Sequence, residues 1–189
     1  MSTMVIENAR MKALQRYDIL DTPADGSFDR ITALASKMFN MPIALITLVD
    51  HDRIWFKSKS GLEGVEQIDR VPGLCASAIF SKEVYLVENA LEDPRTLANP
   101  LISSDFGLRF YAAAPLQTHD GHNLGTLCII DRNQRYINRE QMEMLQEMAA
   151  IVMDEMELRL AARTAIENSE KQISELKREN EALRGRLSS

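Results

Sequence analysis

The feature that most constrains this chain is its C-terminal stretch, which contains no proline or glycine between Asn138 and Arg184. Asparagine is a favourable N-cap residue, so the pattern predicts one helix that starts near residue 138 and continues almost to the C-terminus. At about 1.5 Å per residue, this helix is roughly 70 Å long, far longer than a small domain is wide. Its distal part therefore needs a partner other than its own domain.

The distal part of this helix carries a heptad repeat. With Ile173 at position a, Leu176 falls at d, Asn180 at a, Leu183 at d and Leu187 at a. This is the seam of a two-stranded coiled coil, and a single asparagine at an a position favours a parallel, in-register dimer because facing amides bond only when the strands align. The sequence thus predicts a homodimer through the C-terminal helix; the alternative is a solvated tail without a partner.

The heptad frame changes along the helix. Ile166 keeps the distal frame, whereas Met148, Ile151, Leu158 and Ala165 fit a frame shifted by one position. We expect the phase change near residue 165 to be a place where paired helices can rotate or slide. The predicted dimerisation residues are Ile151, Leu158, Ile166, Ile173, Leu176, Asn180, Leu183 and Leu187.

The first 137 residues predict a domain of mixed helices and strands. Apolar spacing predicts helices over 5–19 and after Asp25, and a short helix over 74–80. Apolar and β-branched runs predict strands over 43–49, 54–56, 84–87, 109–118 and 123–131. The expected fold class is α+β, with a central antiparallel sheet flanked by helices. We expect three parts: an N-terminal helix (1–24), a core (25–137) and the C-terminal helix (138–189).

Composition limits the partners of the chain. The net charge is −6, with 45% hydrophobic residues, so we expect a folded domain that binds neither nucleic acid nor membrane surfaces. No apolar run approaches the roughly 20 residues that span a bilayer, and the two cysteines are too few for a secreted disulfide framework. We therefore expect a cytoplasmic protein.

Several short segments match motifs of one known family. They are Tyr17-Asp18-Ile19-Leu20-Asp21-Thr22-Pro23, Phe28-Asp29-Arg30-Ile31, Pro42-Ile43-Ala44-Leu45-Ile46, Val49-Asp50, Arg53-Ile54-Trp55-Phe56-Lys57-Ser58, Asp93-Pro94-Arg95, Asn99-Pro100-Leu101, Arg109-Phe110-Tyr111-Ala112 and Leu124-Gly125-Thr126-Leu127-Cys128. Over about residues 7–160 the chain resembles the GAF domains of bacterial sensor histidine kinases and diguanylate cyclases. The resemblance implies a GAF/PAS-like sheet with the terminal helices on one face and a ligand-sized cavity on the other.

The resemblance also directs attention to a candidate ligand pocket. Aromatic and charged residues are the candidates for its lining: Trp55, Phe56, Cys75, Asp93, Arg95, Asn99, Arg109 and Tyr111. Ligand sites usually combine aromatic side chains with a few polar groups. The alternatives are that the aromatic residues form the sheet core and that the charged residues form an internal network of salt bridges and turns.

The cysteines and histidines of the chain offer two further candidates for chemistry. Related bilin-binding domains carry a cysteine followed by histidine, whereas here Cys75 is followed by Ala76-Ser77. Buried thiols usually act as small hydrophobes, so a redox or chromophore role is the alternative for Cys75. His119 and His122 flank a turn and supply too few ligands for a structural zinc site, so no metal is predicted. No cofactor is identified from the sequence.

The expected function is a sensory module of a signalling system. A small ligand or a partner protein biases the domain, and the dimeric helix transmits the signal to an output protein or domain, as in two-component systems. No cyclase, kinase or phospho-accepting signature is found, and no catalytic residue is predicted. The alternatives are a ligand-free dimerisation domain, a thiol-based redox sensor, and a sulfoxide-reductase-like enzyme that uses Cys75 or Cys128.

Overall fold

A computed structural model describes residues 3–71, 73–96 and 98–187; the side chains of Thr3 and of residues 185–187 are outside the description. The elements in chain order are α1 (Thr3–Tyr17), α2 (Gly26–Phe39), β1 (Ile43–Val49), β2 (Arg53–Ser60), β3 (Gln67–Asp69), α3 (Leu74–Ala78), β4 (Tyr85–Val87), α4 (Pro100–Ser103), β5 (Phe110–Gln117), β6 (Asn123–Asp131) and α5 (Arg139–Leu187). They form two compact units, one up to Glu155 and one from Met156.

The first unit is organised around a six-stranded sheet of order β3-β2-β1-β6-β5-β4. All neighbouring strands are antiparallel. Both predicted hairpins are present, β1–β2 and β5–β6. Strand β1 is buried along its whole length, as its continuous apolar run predicts. The predicted α+β fold with an antiparallel sheet is therefore confirmed.

The two faces of the sheet receive different helices. Helix α3 packs on the face that presents Leu45, Phe56 and Cys128, and we call this the α3 face. Helix α2 contacts β1, β2 and β6 from the opposite side, which we call the α2 face. Alternation along the strands assigns each buried side chain to one of these two faces.

A β-bulge in β2 changes this alternation at one point. Ile46 pairs with Ser58 while Thr47 pairs with Phe56, so Lys57 is the extra residue. Because a bulge lets two residues oppose one, Lys57 and Ser58 both reach the α2 face. Thr32 of α2 accordingly lies 2.8 Å from the Ser58 hydroxyl.

Side-chain caps fix where helices α2 and α5 begin. Asp25 accepts a hydrogen bond from the Ser27 amide at 2.9 Å, so α2 begins at Gly26. At α5, Asn138 accepts from the Gln141 amide at 2.8 Å while the Gln141 side chain accepts from the Asn138 amide at 2.9 Å. This reciprocal pair is a capping box, and it confirms the predicted helix start near residue 138.

The second unit consists of the distal part of α5. Its predicted seam residues Leu158, Ile166, Ile173, Leu176 and Leu183 are 51–66% exposed. Asn180 is exposed as well, whereas Leu187 has its side chain outside the described residues. No described helix is both long enough and apolar enough to cross a bilayer.

Candidate functional site

The candidate site is a cavity of about 100 Å³ on the α3 face. The sheet contributes residues from β1, β2, β5 and β6, and α3 contributes its first turn. The segments around β3 and α4 complete the wall. The lining residues are Leu45, Phe56, Leu62, Val65, Ile68, Leu74, Cys75, Leu101, Phe106, Leu108, Tyr111 and Ile130.

Local sequence signals position the two non-sheet parts of this wall. Gly61 follows β2 with a φ of +75°, and a Cβ there would lie 1.8 Å from the Pro42 carbonyl oxygen, so the turn toward Leu62 requires glycine. At α4, the Asn99 side chain accepts from the Leu101 amide at 2.9 Å. Pro100 occupies the first turn of that helix, where its missing N–H costs nothing. Together these signals bring Leu62 and Leu101 to the cavity.

The cavity is chemically almost entirely apolar. None of its lining residues is charged, and its polar groups are the Cys75 thiol and the Tyr111 hydroxyl. The hydroxyl donates to Cys75 Sγ at 3.2 Å. Burial raises the pKa of Tyr111 well above its usual value, so this side chain stays a protonated donor at physiological pH. The arrangement suits binding of an apolar group better than acid–base chemistry.

The second thiol lies next to the first. Cys75 and Cys128 are both free and buried. Because both thiols are fully buried in apolar surroundings, their charged forms are disfavoured, and burial together with contact with Cys75 raises the pKa of Cys128 well above its usual value. Of the two thiols, Cys75 faces the cavity.

The structure separates the predicted pocket residues into two groups. Phe56, Cys75 and Tyr111 line the cavity. Trp55 pairs with Leu48 and projects to the α2 face, where the Lys57 ammonium lies 5.8 Å from its ring centre. Adjacent residues of a strand face opposite ways, which is why Trp55 and Phe56 cannot share one pocket.

The predicted charged residues lie outside the cavity. The Arg95 guanidinium binds the Asp93 carboxylate and the Leu86 carbonyl oxygen. Asn99 is the cap of α4, and the Arg109 guanidinium donates to the carbonyl oxygens of Ile102 and Leu108 at 3.0 and 2.9 Å. These contacts agree with the alternative of ion pairs and turns. Asp93 and Arg95 also line a separate surface pocket and Asn99 another, so a ligand role for these residues stays a prediction.

Sequence reasoning missed most of the cavity wall. Of the nine missed residues, Leu45, Leu74 and Ile130 lie on regular elements. The other six belong to segments that lack periodicity or to their borders: Leu62, Val65, Ile68, Leu101, Phe106 and Leu108. The sequence contained a usable signal. Long connections in a compact domain are often functional, and the connections over residues 60–73 and 88–106 contain large apolar residues. An apolar side chain in a connection needs a surface to cover, and here that surface is the α3 face.

The cavity has an energetic cost when it is empty. At roughly 24 cal/mol per Å³, an apolar void of this size costs about 2 kcal/mol of stability. Protein interiors contain few voids larger than a water molecule. The cavity is nevertheless small beside the roughly 300–1,000 Å³ of ordinary small-molecule pockets.

Comparison with known proteins adds one relative in sequence. The chain is 40% identical over 148 residues to a cyclic di-GMP phosphodiesterase of Pseudomonas aeruginosa, covering 78% of this chain and 25% of that protein. The chain therefore spans only about a quarter of the relative's length.

Solved structures show the same fold at low identity. A domain of a putative two-component sensor histidine kinase protein of Sinorhizobium meliloti aligns with a TM-score of 0.58 and 17% identity, covering 75% of this chain and 95% of that one. Free methionine-R-sulfoxide reductase of Neisseria meningitidis, in complex with its substrate, aligns with a TM-score of 0.60 and 18% identity, covering 81% and 91%. These likenesses support the fold alone.

The family itself is identified by its sequence model, which is described as GAF domain and matches residues 23–156. That match covers more than half of the chain and includes every strand of the sheet and helix α3. The protein belongs to the GAF domain family.

Proposed function

We propose that this chain is a cytoplasmic regulatory module, in which binding of a small ligand at the α3-face cavity biases how two copies of α5 pair. The paired helices then pass this bias to an output domain or protein. The physical requirement is that the ligand prefers one helix arrangement over the other, because a ligand with equal affinity for both shifts nothing.

The observation that carries this proposal is the exposed seam of α5. Ile173 is 52% exposed, Leu176 62% and Leu183 51%, although burying each such side chain is worth roughly 1.5–3 kcal/mol. A second copy of the same stripe covers them most simply. Isolated exposed apolar residues are ordinary, whereas a row at heptad spacing is typical of a coiled-coil interface.

Charge supports a parallel pairing of identical chains. In the frame set by Ile173, Glu179 occupies position g and Arg184 position e, so each glutamate faces an arginine of the partner helix in a parallel dimer. Asn180 at position a adds the in-register amide pair. An antiparallel arrangement brings neither pair together.

The relative in Pseudomonas aeruginosa supports an output outside this chain. The chain corresponds to a quarter of that cyclic di-GMP phosphodiesterase. We propose that a GAF module of this kind controls an attached or associated output activity and is itself not an enzyme. Within this chain the thiols, which are the candidate nucleophiles, are buried and bonded to neighbouring side chains.

The small cavity favours one alternative, a dimerisation domain that binds no ligand. At about 100 Å³ the cavity is smaller than a drug-sized pocket. Under this alternative, the coiled coil forms but no small molecule changes its packing. The dimer and the ligand response therefore need separate tests.

The dimer is tested by sedimentation equilibrium of the 189-residue chain. We expect a dimer at micromolar concentration, and we expect the double variant Ile173→Lys with Leu176→Lys to be monomeric, since four lysines would face each other in the seam. The matched control is Ser174→Lys with Glu175→Lys, whose positions b and c face solvent and which should remain dimeric. A wild-type monomer at high micromolar concentration contradicts the proposal.

Helix direction and signalling are tested by cysteine cross-linking. Ile173→Cys should form a disulfide with its own copy in a parallel, in-register dimer, whereas Ser174→Cys should cross-link poorly. Under the proposal, a bound ligand changes the yields of a Cys series along residues 158–183. Yields that never change while the cavity is occupied would favour the ligand-free dimerisation domain.

A further inference from the structure

We propose that the ligand of the α3-face cavity is a small, uncharged, apolar molecule that carries a single hydrogen-bond acceptor, which receives the Tyr111 hydroxyl. This inference rests on the proposed function, because it names the class of ligand for the same site. It is drawn from the chemistry of the wall, the size of the cavity and the bonding of its one strong donor.

The wall excludes a charged ligand. All twelve lining residues are uncharged, and ten of them are aliphatic residues or phenylalanine. An ion moved into such surroundings loses its hydration and gains no counter-charge. The nearby guanidinium groups are engaged elsewhere, Arg95 with Asp93 and Arg109 with backbone carbonyls. A neutral ligand has no such cost.

The volume limits the size of the ligand. An engineered apolar cavity of roughly 150 Å³ stays dry and binds benzene or xenon. The α3-face cavity, at about 100 Å³, suits a molecule of similar scale, such as a single small ring or a short branched chain. A cyclic dinucleotide is several times larger and carries two phosphate charges, so it does not fit this site.

The Tyr111 hydroxyl is the reason why the proposed ligand carries one hydrogen-bond acceptor. It is buried with the rest of its side chain, donates to Cys75 Sγ at 3.2 Å and also interacts with the Thr126 side chain. Sulfur is a weak acceptor, so the Tyr111 hydroxyl forms a stronger hydrogen bond when it donates to a carbonyl or ether oxygen of the ligand instead of to Cys75 Sγ. The ligand needs no second polar group for this exchange. The hydroxyl is the strongest donor on the wall, because the remaining polar group is the Cys75 thiol.

Methyl-region NMR of the full chain tests this inference with probes of matched size. Cyclobutanone, methylcyclobutane and cyclobutylammonium have the same number of non-hydrogen atoms, fewer than benzene, but differ in acceptor and charge. We expect saturable shifts of the Leu45, Leu108 and Ile130 methyl signals with cyclobutanone, weaker binding of methylcyclobutane, and no binding of cyclobutylammonium or cyclic di-GMP at these methyl groups.

Two variants locate the contact. Tyr111→Phe should weaken cyclobutanone binding roughly five-fold, as expected for one lost hydrogen bond, while leaving methylcyclobutane binding unchanged. Leu62→Phe should fill the cavity and abolish binding of both. The matched control is Leu34→Phe, which makes the same change at a half-exposed position of α2 and should bind as the wild type does.

The outcomes separate this inference from the proposed function. If neither neutral probe shifts the lining methyl groups, or if cyclobutylammonium binds as tightly as cyclobutanone, the ligand class is wrong, whatever the coiled coil does. If Tyr111→Phe weakens both neutral probes equally, the acceptor assignment is wrong. If cyclobutanone occupies the cavity but cross-linking along α5 is unchanged, the ligand class stands and the signalling proposal fails.

Discussion

On the α2 face of the sheet, polar side chains meet defined partners, whereas on the α3 face apolar side chains surround a cavity. The Ser58 hydroxyl donates to Asp29 at 2.7 Å and also contacts Thr32, and the Lys57 ammonium donates to Thr22 and to the Pro23 carbonyl oxygen. On the α3 face, Thr47 and Thr126 pair through their hydroxyls at 2.9 Å, and among the residues that line the cavity Tyr111 donates to Cys75.

This difference assigns roles to the two halves of the domain. The motifs that carry the family resemblance include Asp21-Thr22-Pro23, Asp29 and Lys57-Ser58, which are the residues that tie α2 and the preceding segment to the sheet. Arg53 adds a further tie, an ion pair with Asp21. The α2 face thus carries the polar contacts that fix the scaffold, while the α3 face contains the cavity.

The largest expected effect comes from truncating a buried aromatic residue on the α2 face. Phe28 is fully buried there, and Phe28→Ala should lower the free energy of unfolding by about 3–5 kcal/mol. Leu62→Ala, at the partly buried edge of the existing cavity, should cost only about 1 kcal/mol. Urea unfolding at one fixed protein concentration measures both, and equal losses would refute the contrast between the faces.

Larger side chains at two neighbouring residues of β6 should have opposite effects on the stability of the fold. Ile129 is fully buried on the α2 face, so Ile129→Phe should destabilise the fold by about 1–3 kcal/mol through overpacking. Ile130 lines the cavity, so Ile130→Phe fills existing space and should leave stability unchanged or raise it. Thermal unfolding of the pair checks this, and a larger loss for Ile130→Phe would show that the cavity is not available volume.

The parts of the fold that were predictable are those with strong local signals. Strand β6 spans Asn123–Asp131, as predicted, because Asp120-Gly121 forces a hairpin and the apolar run after it must be buried. Helix α5 begins one residue after its predicted cap. Strand β3 and helix α4 were missed, since elements of three and four residues form through contacts made elsewhere in the fold rather than through their own periodicity.

The candidate site was predictable only where it lies on regular strands or on a short helix. Phe56, Cys75 and Tyr111 were among the predicted residues and line the cavity; whether they bind a ligand stays a prediction. The charged residues between 88 and 109 were predicted as pocket residues because buried charge needs a partner. Their partners turned out to be adjacent side chains and backbone carbonyls, which only the folded arrangement reveals.

Acid should lower the stability of the domain by protonating Glu7, which pairs with Arg10 and Arg70. The lining of the cavity contains no such ion pair. A hydrogen bond from Arg10, with a second from Arg70, lowers the pKa of Glu7 from 4.5 to about 2. Because the folded state holds this carboxyl deprotonated, its contribution is present above the unfolded pKa and is lost as pH falls from about 4.5 toward 2. Glu7→Gln should remove that part of the pH dependence.

The expected loss at neutral pH is modest, roughly 1–2 kcal/mol, because the Glu7 side chain is 28% exposed and solvent screens the pairs. Part of this loss of stability arises because Glu7→Gln leaves the Arg10 guanidinium buried without its carboxylate partner. Unfolding free energies at pH 7 and at pH 3 for Glu7→Gln and wild type give the comparison. Parallel pH profiles would mean that another carboxylate carries the acid sensitivity.

The smallest effects should come from removing one hydroxyl on each face. Ser58→Ala deletes the bonds to Asp29 and Thr32 and should cost about 1 kcal/mol, since Asp29 is exposed and regains water. Tyr111→Phe deletes a bond to a thiol, a weak acceptor, and should cost less than about 0.5 kcal/mol. If Tyr111→Phe proved the more costly change in urea unfolding, its hydroxyl would be a structural group, and its availability to a ligand would be lost with it.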